Sequence, residues 1–535
     1  MIRIFFFTAF GLCVYLDAHI TLHQINDKPK SIAKDFMIWQ YLQQKITPRN
    51  AQLAFDQSDF FNRKLLLAYS KRSGSKKLQF ITHCMTLSKT KLLQTSNMQC
   101  LDIALSPYKA TFFNPSRLLF IAKNIDDNDT ANYLSFMGHG AVADILLKYP
   151  ADTVLKVFNQ SGSKYRNKHF NHRYSINVLG RLMDSSKFAT FIKIAVTDYK
   201  LNNLHHALLY LDADKLSPQS DFYLSLNALR LHVPKKAKQY LSMAYTKATS
   251  SRMQDKILFW EYLVSDNKSY LHFLSASTTI NLYTLYAKEF LHVKVNNYFT
   301  QVYTKPVISN TNIDNPFVWR KIRQRIYSTS YDKLFNLAKE YQAKNLQSVQ
   351  ALIISHAYRY KIHNFIMPYQ DIIDNLSLEH QAFIYAIMRQ ESRFIPSAIS
   401  TSYALGLMQL MPFVVDNLAH QLHFNITSYN ELFKPKVNLL FAKKYLFWLQ
   451  RHVKNPLFQA YAYNGGYGFL RHYLSDDRFT NGKYEPFLSM EMMANSQTRG
   501  YGKRVLTNYI MYQNIMGHHA SIVKFLNTLK DRKES

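Results

Sequence analysis

The sequence predicts an all-α protein: a superhelical stack of helix pairs followed by a second, compact helical domain. Three observations carry this expectation. The 535 residues are 47% hydrophobic and 19% charged, the balance of a globular chain with large cores. No glycine occurs between Arg181 and Leu405, which argues against a turn-rich β architecture and for a long run of helices. Eight of the fourteen glycines then lie after Ile366, a composition shift that marks a domain boundary there.

The chain opens with MIRIFFFTAFGLCVYLDA, one early arginine followed by an apolar run from Ile4 to Tyr15. This reads as a secretory signal peptide over residues 1–18, too short for a comfortable membrane span. Cys13 follows Phe10-Gly11-Leu12, a poor match to a lipoprotein signal, so association with an outer membrane stays open without support. Once Cys13 is removed, Cys84 and Cys100 remain. An even pair in an exported chain favours a disulfide, against the alternative of two buried thiols.

Amphipathic helices of modest length fill residues 19–300. Leu204, Leu208 and Leu211 mark one face, as do Phe222, Leu226 and Leu229. Pro234 punctuates, and Ala237, Leu241 and Tyr245 mark the next face. Such helix–turn–helix units recur without a clean repeat consensus, the pattern of a superhelix. Residues 301–365 read as a helical linker domain: a loop at Ser309–Pro316, then helical pattern from Tyr331 to Tyr360. Residues 366–535 form the second domain. A helix capped by Ser377 runs to Glu391 and is stopped by Pro396; a further helix covers Asn438 to His452. Ala462 to Gly468 reads as a glycine-rich turn, and Val505 to Met516 as the last helix.

The net charge is +31. The second domain holds 18 Lys or Arg against 12 Asp or Glu, so the first 365 residues carry +25 of it. A field of that size attracts polyanions: nucleic acid, acidic lipid or an acidic cell-wall polymer. The export signal argues against nucleic acid. No HExxH, CxxC or phosphate-loop pattern is present, and the adjacent pairs His205-His206 and His518-His519 face apart on a helix. No metal site and no cofactor are expected.

Glu391 is the residue on which the chemistry turns. Ile387 and Ile384 precede it at helical spacing, so its carboxylate sits on an apolar face. Desolvation there raises the pKa and keeps the group protonated near neutrality, as a general acid needs. No Asp or Glu follows until Asp416. By itself such a glutamate is more often ion-paired, and Arg389 and Arg393 are the candidate partners.

Its surroundings form an ordered series: Glu391-Ser392 with Phe394 and Pro396, then Ser400, then Gly406 to Pro412 (GLMQLMP), then Ala462 to Gly466 (AYNGG), then Gln497 to Tyr501 (QTRGY). Four motifs in this order over about 110 residues are a specific signal. With them the second domain resembles the catalytic domain of the soluble lytic murein transglycosylases, the lysozyme-like family of bacterial cell walls. Residues 19–300 resemble the family's U-shaped helical superhelix more weakly, and Cys84 and Cys100 fall where the family shows a cysteine pair. The chain departs from the pattern at Tyr403 (usually Gly), Gly465 (Ala), Tyr467 (Pro) and Gln497 (Glu).

The resemblance implies a periplasmic enzyme that cleaves the β-1,4 bond between N-acetylmuramic acid and N-acetylglucosamine. It implies Glu391 as sole acid and base, and a 1,6-anhydro product. Gln409 would make a bidentate contact with N-acetyl groups through its amide. Met408 and Met411 would offer sugar-contacting surfaces, with plain core packing the alternative. Tyr463 would stack on or bond the substrate, and Asn464 would fix the turn. Ser400 would bond a sugar or Glu391, and Gln497 and Tyr501 would shape the cleft. Glycan strands of peptidoglycan are the implied partner, and other cell-wall enzymes are candidate partners. A lysozyme-type hydrolase and a peptidoglycan-binding scaffold of low activity are the competing readings, with Glu491 the candidate second carboxylate of a hydrolase.

Overall fold

The computed structural model describes residues 19–530 apart from Phe61 and Asp477. The expected signal peptide, with Cys13, lies outside the described residues.

The architecture is all-α. Short helices follow one another from Leu22–Asn26 to Leu282–Phe290. Their starts share a chemical device. At Thr47, Ser106, Asn114 and Ser217 a side-chain oxygen accepts a backbone N–H of the first turn, and the next residue is proline. Proline at that position has a preset φ and lacks only an N–H that the helix would leave unpaired. Prolines therefore open helices here. Pro218–Arg230 packs on Pro234–Lys247 through Phe222, Leu226 and Leu229 against Ala237, Leu241 and Ala244, all buried. Tyr245, expected on this face, is turned out and 41% exposed. Tyr240 ties the pair to the preceding unit by donating to the carbonyls of Leu209 and Leu211, at 3.1 and 3.0 Å. The helix expected to reach Leu211 ends at Leu208, although Leu211 stays buried.

Cys84 and Cys100 are joined in a disulfide, Cα atoms 5.2 Å apart, that links helices Lys76–Met85 and Met98–Ala104.

The one sheet among the described residues is a parallel pair, Tyr298–Phe299 with His363–Asn364. It brings together the two ends of the intervening stretch. Helices Pro316–Ser328, Leu334–Lys339 and Gln347–Ala357 of that stretch share a small core of their own around Ile326, Leu334, Val349 and Ile353. Ile395, just beyond Glu391, plugs into it.

A continuous apolar core runs from the superhelix into the C-terminal helices. The C-terminal part is held at both ends of the superhelix and also between them, where the Tyr199 hydroxyl donates to Asp476 at 2.5 Å. At the chain's start, Phe36 and Trp39 pack on Tyr403 with ring centroids 5.4 and 5.8 Å away. At the other end of the superhelix, Phe259 packs on Phe487 at 4.6 Å, and Glu289 accepts the backbone N–H of Ile522 at 2.8 Å. Among the described residues, no helix is long and apolar enough to cross a membrane.

Candidate active site

The helix Leu378–Glu391 begins at the Ser377 cap, as the sequence predicts, and every residue from Gln381 to Met388 is buried. Its end has a different cause from the one expected. Pro396 lies too far on; Arg393 and Phe394 take left-handed backbone, φ +53 and +66, and stop the helix at Glu391. The chain then turns away, leaving Glu391 half-buried at the helix tip.

Neither neighbouring arginine pairs with it. Arg389 donates to the Asn364 carbonyl at 2.7 Å and to Asn508 at 2.5 Å, and lies over the Phe365 ring. Arg393 lies over the Tyr360 ring. Burial pushes the Glu391 carboxyl up to about 7, with the Tyr501 hydroxyl and the Arg504 guanidinium pulling weakly the other way. Burial also holds the phenols of Tyr463 and Tyr501 well above their usual range, and each faces the Glu391 charge. The two rings lie parallel within 7°, centroids 6.4 Å apart, and form the wall beside the carboxyl.

Glu491, the candidate second carboxylate, is 2% exposed and engaged elsewhere. Lys503, Arg499 and the Tyr283 hydroxyl surround it, and the two cations and Lys256 hold its carboxyl down at about 2 against the burial penalty. Asp416 accepts from the Tyr429 hydroxyl at 2.9 Å.

The stretch from Ser400 to Met411 is a knot of tight turns. The Ser400 hydroxyl oxygen accepts the Ala404 N–H at 2.9 Å and the Ser402 N–H at 3.3 Å, so Ser400 staples its own loop and does not bond Glu391. Tyr403 takes φ +62 with its ring 1% exposed. The left-handed backbone that glycine would adopt freely is thus kept with a tyrosine. Gly406 has φ +76, and a Cβ there would collide with the Asn438 side chain and the Leu432 carbonyl.

Asn438, fully buried, was not among the expected site residues. It accepts the Met408 N–H at 2.9 Å and donates to the carbonyls of Leu405 and Leu432 at 3.1 and 2.9 Å. An asparagine in the first turn, on the same helix face as Phe441, Ala442 and Leu449, was the available signal. The Gln409 amide nitrogen is spent on the carbonyls of Ala398 and Gly406, at 3.0 and 2.9 Å. Only its oxygen is left for a ligand, so the expected two-sided amide contact is corrected to one side. Met408 has no exposed surface and is a core residue; Met411 is half-buried.

The expected glycine-rich turn is mostly helix. Pro456–Gly465 includes Ala462, Tyr463 and Asn464, and only Gly466, φ +90, turns before Tyr467–Leu474 begins. Tyr463 donates its hydroxyl to the Met408 carbonyl at 2.7 Å. Asn464 accepts from the Thr498 hydroxyl at 3.0 Å. The last motif is helical too: Ser496–Ile515 is one helix containing Gln497 and Tyr501, and Ile522–Thr528 follows it. Gln497 is exposed in its first turn, whereas Tyr501 is buried beside Glu391. The structure thus brings together Glu391, Tyr463 and Tyr501, with the Ser400–Gln409 knot tied to them through Met408.

Residues 377–485 match the transglycosylase SLT domain family. The soluble lytic murein transglycosylases of Salmonella typhimurium and Escherichia coli are each 30% identical to this chain over 183 residues, 33% of this chain and 28% of theirs. The chain therefore matches well under two thirds of those relatives' length. A solved structure of an inactive mutant of the lytic transglycosylase Slt from Pseudomonas aeruginosa superposes with a TM-score of 0.54. It covers 92% of this chain and 83% of that one at 16% identity. That likeness is one of fold, a helical superhelix leading into a lysozyme-like domain.

Proposed function

We propose that this chain, with its SLT domain at residues 377–485, is a peptidoglycan lytic transglycosylase that acts outside the cytoplasm. It cleaves the β-1,4 bond between N-acetylmuramic acid and N-acetylglucosamine. The domain division at residues 300 and 365 belongs to the same reading. The observation that carries it is Glu391 itself, half-buried at its helix tip beside Tyr463 and Tyr501. A glutamate raised to about 7 donates a proton readily at neutral pH, and its charged or titrating neighbours are Tyr501 and Arg504, not a carboxylate.

Hydrolases of this class pair two carboxyl groups about 5–10 Å apart. Here one group serves twice. Glu391 protonates the leaving glycosidic oxygen as the C1–O bond breaks, and the substrate's N-acetyl group supports the positive charge at C1. The Glu391 carboxylate then accepts the proton of the C6 hydroxyl as that oxygen bonds to C1. The product is a 1,6-anhydro sugar, no water is consumed, and Glu391 ends protonated as it began. Tyr463 and Tyr501 wall the site, and the free oxygen of Gln409 is available to a sugar N–H. The basic superhelix suits an acidic polymer.

Digestion of purified peptidoglycan and weighing of the released muropeptides tests this. The expected products are lighter by one water than lysozyme products, and Glu391→Gln abolishes them. Reducing ends in place of anhydro ends would show a hydrolase. Clearance unchanged in Glu391→Gln would favour a scaffold.

A further inference from the structure

The aromatic wall does not end at Tyr463. That ring lies 5.5 Å from Tyr445, which stacks within 8° on Trp448 at 6.2 Å. Trp448 meets Tyr467 edge-on at 5.6 Å and His452 at 4.5 Å. Tyr445, Trp448 and His452 share one face of helix Pro435–His452, at helical spacing. Tyr467 opens the next helix but one. The rings make an unbroken line from the carboxyl of Glu391 outward.

Tyr445 and Tyr467 lie against the core, but core packing does not account for Trp448 at the outer end of that line. Leu446 and Leu449 of the same helix are buried and serve the core. Trp448 is 38% exposed, His452 is exposed, and Tyr445 and Tyr467 are half-buried. A large ring left in water beside two phenols and an imidazole offers an apolar face with polar edges, the surface that binding sites use.

We propose that Trp448 and Tyr467 form a sugar-stacking subsite that takes an N-acetylhexosamine unit of the glycan strand beyond those at Glu391. The proposal rests on the glycan-cleaving reading above. A pyranose presents one face of C–H groups whose positive edge suits the negative face of an aromatic ring, and its rim hydroxyls and N-acetyl group suit polar edges. The line is continuous with the cleft, so one strand occupies both. Two or three rings are too few for a protein partner, which needs about 800 Å² on each side.

The test uses full-length Glu391→Gln protein and N-acetylglucosamine oligomers of increasing length, followed by calorimetry. Affinity is expected to climb with length until the subsite is filled. Adding Trp448→Ala should weaken the longest oligomer roughly tenfold and flatten the length dependence, as loss of a buried aromatic anchor does. Trp448→Phe should restore most of it, which a folding defect would not. Length dependence unchanged by Trp448→Ala overturns the proposal, as does Trp448-dependent binding of free stem peptide in preference to the oligomer. The underlying reading fails separately: active enzyme lacking Trp448-dependent binding removes only the subsite, and Trp448-dependent binding without peptidoglycan cleavage removes only the activity.

Discussion

Glu391 is poised by what its neighbours are not. Arg389 and Arg393 flank it in sequence, yet a backbone carbonyl, an amide and two aromatic rings hold them away. A guanidinium paired with it would hold the carboxyl ionised; Arg504 pulls that way, but burial is the larger effect and stays in control. On the proposed mechanism, the proton needed for the first step is then present below about pH 7 and lost above it. Tyr501 opposes burial by favouring the ionised form. Tyr501→Phe therefore raises the Glu391 pKa further, and the alkaline limb of the kcat/KM profile moves to higher pH. A limb that stays in place, or moves down, shows that Tyr501 does not act on this proton. The apolar spacing around Glu391 was legible in the sequence. The fate of the arginines was not, because Asn364 and Asn508 lie 25 and 119 residues from Arg389 and only the fold brings them near.

At the scale of elements, the knot from Ser400 to Met411 is unusual for how much of it is left-handed: Tyr403, Gly406 and Gln409 all have positive φ. Such backbone costs a non-glycine residue about 1–3 kcal/mol and persists only where surroundings hold it. The surroundings are the first helices of the chain. Phe36 and Trp39 clasp the Tyr403 ring, Asn62 donates to the Thr401 carbonyl at 2.6 Å, and Lys64 donates to the Ser402 carbonyl at 2.9 Å. Tyr403 thus has at this left-handed position a packing partner that glycine could not have. Tyr403→Ala keeps the strained backbone and loses the ring, so it should cost about 3–5 kcal/mol in urea unfolding, the range for emptying an aromatic site. A loss under 1 kcal/mol would mean that the clasp is idle. Sequence periodicity found the helices of this region and missed their ends. Proline was read as a stop, whereas after a capping Thr, Ser or Asn it is a start. The run Ala462–Gly468 reads as a turn, yet helix extends through Gly465, where Phe469 and Thr498 lie too close for a side chain. A lone glycine does not reveal which use it serves.

Across the whole molecule, the fold class and the order of its two main parts were legible because local helical patterning repeats and a distinct composition follows. How the parts grip one another was not, since the contacts join residues hundreds of positions apart. The buried cluster at Glu491 is the clearest case. Tyr283 comes from the superhelix, Lys503 and Arg499 from the helix that carries Tyr501, and Lys256 adds a more distant positive charge. A buried carboxylate between cations offsets their desolvation, and taking it away strands them. With a folded pKa near 2 against 4.5 unfolded, Glu491 stabilises the protein fully above about pH 4.5, and that stability is lost as pH falls toward 2. Glu491→Gln should therefore lower unfolding free energy by about 3–5 kcal/mol at pH 7, and the deficit should shrink in acid as the wild-type carboxyl protonates. Because the cluster fixes the helix behind Tyr501, the variant should also expose the C-terminal helices to hydrogen exchange before the superhelix. Equal urea midpoints for variant and wild type at pH 7 would show that the Glu491 cluster adds nothing to the other contacts joining the two parts.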